Sequence, residues 1–241
     1  MYGLGVTETA RDERDEYAEW RRSMCGEPYL VWHDGADFGK LLRRAGSGEA
    51  EARRVGEMLA LGLRGADPLA ARSIAALAGD GVVVAGAEAL LRDALVAAED
   101  TPDTFLLAVA RALRVLTGDE AWVAPIIRVL AEGSHWSSRI DAALALREVD
   151  PTPEVLGALT RAMTDPEYLV RYHAAETMLS HAYRTNVDIS SRSALFAKIC
   201  NKTDSGPADW QHVAQTLAAE CIWRIERRRA AAEASGADEQ G

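Results

Sequence analysis

Aromatic side chains are sparse in this 241-residue chain, at 6% of the total with only three phenylalanines. That scarcity argues against a β-sandwich, whose pleated faces are built from aromatic and β-branched residues. Alanine and leucine dominate the apolar set instead, and both favour closely packed helices. No apolar run approaches the ~20 residues needed to span a bilayer. The segment Met1 to Trp20 is acidic and has neither the basic start nor the apolar stretch of a secretory signal, so the expected address is cytoplasmic. Cysteine is scarce as well. Cys25, Cys200 and Cys221 stand at no metal-binding spacing, and their odd number leaves at least one unpaired. Reduced thiols packing as small apolar residues account for all three.

Positive charge is also in deficit. The chain carries a net charge of −10, concentrated at its ends. Residues 1–20 hold six acids against Arg11 and Arg14, and residues 233–241 add Glu233, Asp238 and Glu239. The intervening body is nearly neutral. A chain so charged lacks the basic excess that draws proteins to phosphate backbones, so nucleic acid is not an expected partner.

What the sequence has is a repeated helical pair. In Asp165-Pro166-Glu167-Tyr168-Leu169-Val170-Arg171, the aspartate is placed to cap a helix and the proline to occupy its first position. Val170, Ala174, Ala175, Met178, Leu179 and Ala182 then share one helical face. Arg139, Ala142, Ala143 and Leu146 match Arg171, Ala174, Ala175 and Met178 at an offset of 32 residues. Asp67-Pro68 through Leu77 forms a third copy, with Arg72 lying 99 residues before Arg171. A weaker copy holds Val109, Ala110 and Leu113. Second helices are predicted over Ala87–Glu99, Asp119–Glu132 and Thr152–Met163, the last with Thr152 as cap and Pro153 at its first position. Helices near Ser191–Asn201 and Ala208–Ala231 follow. Such regular spacing describes an array in which each unit buries its apolar face against its neighbours. The domain reading is an acidic helical arm over 1–27, a repeat domain over 28–232, and a frayed acidic tail over 233–241.

The Asp-Pro-x-x-x-Val-Arg-x-x-Ala-Ala-x-x-Met pattern at 165–178 resembles a HEAT repeat of the short bacterial, phycobilisome-lyase-like class. The resemblance covers about residues 50–182. It implies an all-α fold, a right-handed α-solenoid of stacked antiparallel helix pairs. It also implies structural roles for Asp165 with Arg171, and for Asp67 with Arg72. The pattern departs at 106, where leucine replaces the arginine, and at the 139 repeat, which lacks the leading Asp-Pro.

Sites of catalysis are not evident. There is no Gly-rich phosphate loop, Gly-x-Ser-x-Gly elbow or His-Glu-x-x-His helix. His173 and Glu176 are spaced as two metal ligands on one helix, but His181 is rotated by roughly 80° from His173 and no third ligand converges. The adjacent His33-Asp34 sits in a predicted loop. No metal or cofactor is therefore expected. Arg227, Arg228 and Arg229 form the one basic cluster, read as favouring the negative end of a helix. Trp210 and Trp223 are expected to seal the C-terminal end.

The resemblance places second helices on a concave face, where partners of such arrays bind. Arg92, Trp122, Arg128, Glu132 and Arg161 would then form one protein-binding surface, with Trp122 at its centre. Inward packing of Trp122 between repeats is the competing reading. The functional expectation is a non-enzymatic adaptor or inhibitor of another protein, with no membrane contact. A sharper form is a bacterial immunity protein that neutralises a toxin domain. A HEAT-like chromophore lyase and a DNA glycosylase are the enzyme alternatives.

Overall fold

In a computed structural model, residues 5–27, 36–184, 189, 193–200 and 206–238 are described. The fold is all-helical, with no strand among these residues. The chain divides into an N-terminal unit, Met1–Val123, and a C-terminal unit, Ala124–Gly241.

The N-terminal unit begins with the arm, helix α1 (Gly5–Cys25), followed by α2 (Gly39–Ala45), α3 (Glu49–Arg64), α4 (Pro68–Gly79), α5 (Ala87–Ala98) and α6 (Thr104–Thr117). Local chemistry sets the starts. The Asp67 carboxylate accepts the Leu69 amide and Pro68 takes the first turn, where its missing N–H costs nothing. Asp103 caps α6 by accepting the amides of Phe105 and Leu106. All six residues from Phe105 to Ala110 are buried, so α6 is apolar on every side and forms the centre of the unit. Leu77 of α4 and Leu91 of α5 are fully enclosed, as is Leu113 of α6, and Val55, Met58, Leu59 and Leu63 of α3 are buried too.

The arm is docked. The Tyr17 hydroxyl donates to Asp67 at 2.8 Å, and Arg21 Nε lies 2.7 Å from the same carboxylate. Arg54 of α3 pairs with Glu16. Gly62 makes this approach possible: a Cβ there would meet the Tyr17 ring at 2.5 Å and Ala70 Cβ at 2.7 Å. Burial, with Asp67 beside it, pushes the Tyr17 hydroxyl above its ordinary pKa. Cys25 is enclosed at the end of α1.

A 3-10 turn, Glu120–Trp122, precedes α7 (Val123–Glu132), so the helix expected from Asp119 is split. The C-terminal unit continues with α8 (Trp136–Ala145), α9 (Pro153–Ala162), α10 (Tyr168–Tyr183), α11 (Ser193–Cys200) and α12 (Pro207–Asp238). Helices α6, α8 and α10 begin at Thr104, Trp136 and Tyr168, each 32 residues after the last. Thr152 caps α9 with Pro153 in its first turn, as the sequence predicts.

Helix α10 is the hub, packed against α8, α9, α11 and α12. Ala142, Ala143, Ala174 and Ala175 have no exposed surface, and these small side chains let the backbones approach. Thr177 donates to the Ala143 carbonyl at 3.0 Å, and His181 Nε2 meets the Leu146 carbonyl at 3.0 Å. Arg171, 1% exposed, donates to the carbonyls of Asp165, Pro166 and Ile199 while its guanidinium lies 3.8 Å from the Trp210 ring centre.

Four expectations are corrected. Asp165 is not the residue that caps α10: its carboxylate accepts the Glu167 amide at 2.8 Å and Arg139 at 2.8 and 3.1 Å, while Glu167 caps the helix by accepting the Leu169 amide. Arg171 accordingly binds the Asp165 backbone rather than its side chain. The tail boundary at 233 falls inside α12, which runs to Asp238. Trp210 packs on Arg171, but Trp223 seals nothing and is 53% exposed.

Candidate binding surfaces

In the N-terminal unit the structure brings Arg92 and Trp122 together. Arg92 leaves the exposed side of α5, held by Glu88 one turn earlier through contacts of 2.8 and 2.9 Å. The Trp122 ring leaves the 3-10 turn that Asp119 caps through the Ala121 amide. Its indole N–H donates to Thr117 Oγ1 at 2.9 Å, and the Arg92 guanidinium stands 4.8 Å above its ring centre. A cation over an indole face is electrostatically favourable. Both partners are thus oriented by second contacts before any ligand arrives. Val96, 70% exposed, continues the same side of α5 one turn beyond Arg92.

Arg128, Glu132 and Arg161 belong to the C-terminal unit, and no hydrogen bond or ion pair joins them among the described residues. Glu132 is exposed at the end of α7. Arg161 is exposed on α9, its Nη1 lying 3.5 Å from where a Cβ on Gly157 would stand. Arg128 is half-buried, with Nε and Nη2 shielded from water and unmet by any acceptor among the described residues.

A cleft of about 800 Å³ opens in the N-terminal unit between α3, α5 and the start of α6. Leu63, Leu90, Ala94 and Phe105 line it, together with Arg64 and Asp93. Its charges are of both signs, so charge alone selects no ligand.

The candidate metal pair is loosely arranged. His173 Nδ1 lies 3.6 Å from Glu176, which Arg147 approaches at 3.9 Å. Burial lowers the His173 pKa, partly opposed by Glu176. No group of three metal-ligating side chains occurs among the described residues. His33 and Asp34 lie outside those residues. His135 caps α8 by accepting the Ser137 amide, and Trp136 stacks on it while remaining 43% exposed.

Family models, curated proteins and solved structures return no match to this chain. No described helix is long and apolar enough to cross a membrane.

The sequence reading takes Trp223 and the Arg227–Arg229 cluster separately, with a local anionic contact as the alternative for the cluster. Trp223 stands on α12 with the Arg227 guanidinium 5.2 Å from its ring centre. The i, i+4 spacing of these two residues, off the buried stripe, was the available signal.

Proposed function

We propose that this chain is a HEAT-like helical-repeat protein, an α-solenoid, that acts by binding another protein rather than by catalysis. The observation that carries the reading is the Arg92–Trp122 pair: an arginine and a tryptophan, the residue types enriched at interface centres, held in one orientation at the surface. Support for the repeat comes from the 32-residue spacing of helix starts and from the Arg139–Asp165 bridge between successive first helices.

Charge favours a basic partner at this unit, which carries 14 basic against 21 acidic residues, a net of −7. An immunity protein facing a basic toxin domain is the sharper form of the same proposal.

The test compares tagged wild-type chain with Trp122→Ala and Arg92→Glu in a native-lysate pulldown, with helicity and melting measured on each. One stoichiometric protein partner is expected, and each substitution should weaken it by about 2 kcal/mol or more without unfolding the chain. A co-purifying pigment or nucleic acid, or a partner retained equally by both variants, overturns the reading.

A further inference from the structure

The far end of α12 presents a charge pattern found on no other helix here. The buried positions of α12 run through Val213, Ala214, Leu217, Ala218, Cys221 and Ile225, then stop. Beyond Ile225 the helix continues to Asp238, and none of its positions from Glu226 to Ala232 is buried.

The exposed face of this end is basic and carries one large apolar ring. Trp223, Arg227 and Ala231 recur at helical spacing and, with Arg224, Arg228 and Ala182, border a shallow hollow of about 350 Å³. Arg224 lies over the Tyr183 ring at 4.4 Å and pairs with Glu220. Arg227 meets the Trp223 ring, Arg228 the carbonyls of His181 and Ala182, and Arg229 the carbonyl of Pro151. Burial, followed by the charges of Arg184 and Arg229, disfavours the charge on Arg228. Among the described residues, Arg184, Arg227, Arg228 and Arg229 pair with no carboxylate. Basic side chains on this stretch of α12 are thus left without a paired carboxylate among the described residues.

We propose that this face of α12 binds an acidic helical segment of another protein, a carboxylate on Arg227 and an apolar side chain on Trp223. A ridge repeating every four residues accepts a second helix laid alongside. Charge complementarity sets its sign. A nucleic acid fits less well, because the C-terminal unit has 13 basic against 16 acidic residues and repels a phosphate chain beyond this short patch. The surface is distinct from the Arg92–Trp122 pair and stands whether or not that pair binds a partner.

The probe is a fluorescein-labelled helical peptide of glutamate and leucine at helical spacing, titrated with the full chain and read by anisotropy. Saturable binding is expected, at least about tenfold weaker for Arg227→Glu and restored by Arg227→Lys. Trp223→Ala should weaken it several-fold, and Trp122→Ala should leave it unchanged. Trp223 and Arg227 are exposed, so these variants should fold, and circular dichroism checks this. The proposal is overturned if binding does not saturate, if Arg227→Glu binds as wild type does, or if a lysine-for-glutamate peptide binds equally. Displacement by a random duplex at matched charge, or wild-type self-association that Arg227→Glu abolishes, also overturns it by assigning a different occupant.

Discussion

In the N-terminal unit Asp67-Pro68 opens α4 directly, whereas in the C-terminal unit Asp165-Pro166 stands ahead of α10, which starts at Tyr168. Asp67 caps its helix and also anchors Tyr17 and Arg21 of the arm. Asp165 instead receives Arg139 from α8 along with the Glu167 amide, and Glu167 caps the helix. The enclosed side chains differ as well. Leu106 of α6 is buried in the N-terminal unit, while Arg171 of α10 is buried and tied to three carbonyls in the C-terminal unit. One dipeptide thus takes different roles according to which element lies beside it. The N-terminal unit holds together by apolar burial with a latched arm, and the C-terminal unit by buried hydrogen bonds between helices.

The sharpest way to break this contrast is Arg171→Ala. It leaves three carbonyls without their donor and opens a cavity under Trp210, so a loss of about 3–5 kcal/mol in urea unfolding is expected. Leu106→Ala, by contrast, should act through cavity formation alone, and hydrogen exchange should place the two losses in different units. Asp165→Ala comes next, at about 1–3 kcal/mol, because it strands the mostly buried Arg139 and leaves the Glu167 amide without its acceptor. Asp165→Asn separates the two accounts: it keeps the short polar side chain yet should still lose most of that stability.

Tyr17→Phe should cost about 0.5–1.5 kcal/mol, seen mainly as faster amide exchange in α1. Exchange in α1 that matches wild type would show that apolar contact alone holds the arm. The smallest effect is a pH dependence. Burial holds the His181 pKa below its ordinary 6.5, and His173 is shifted the same way. The folded state therefore favours the neutral rings. Their contribution is full above pH 6.5 and lost as the pH falls through the lowered values of the folded state. Urea unfolding between about pH 7 and pH 5 should show the C-terminal unit weakening, with a shallower slope in His181→Gln.

Most helices were legible because their signals are local. Asp67-Pro68 and Thr152-Pro153 cap where they stand, and the apolar spacing of Val155, Leu156, Leu159 and Met163 marks a buried face. The Asp165 cap was misread because its carboxylate goes to the Glu167 amide and to Arg139, which lies 26 residues away. Trp122 was placed on a helix since nothing in its own neighbourhood reveals that Asp119 closes a 3-10 turn first. Its pairing with Arg92 depends on how α5 and that turn are placed, which spacing does not encode. Trp223 was readable in principle, since it lies opposite the face marked by Cys221 and Ile225.

The Arg228 contact has a consequence in time. The last carbonyls of α10, at His181 and Ala182, are met by a side chain 47 and 46 residues further on. During synthesis, then, α10 waits with an unfinished end until residue 228 has left the ribosome, whereas Asp67 finds Tyr17 and Arg21 already made. The arm can latch while later helices are still being translated. Closure of the other unit is deferred until α12 has been made, and a chain stalled before Arg228 carries its hub helix open to proteases.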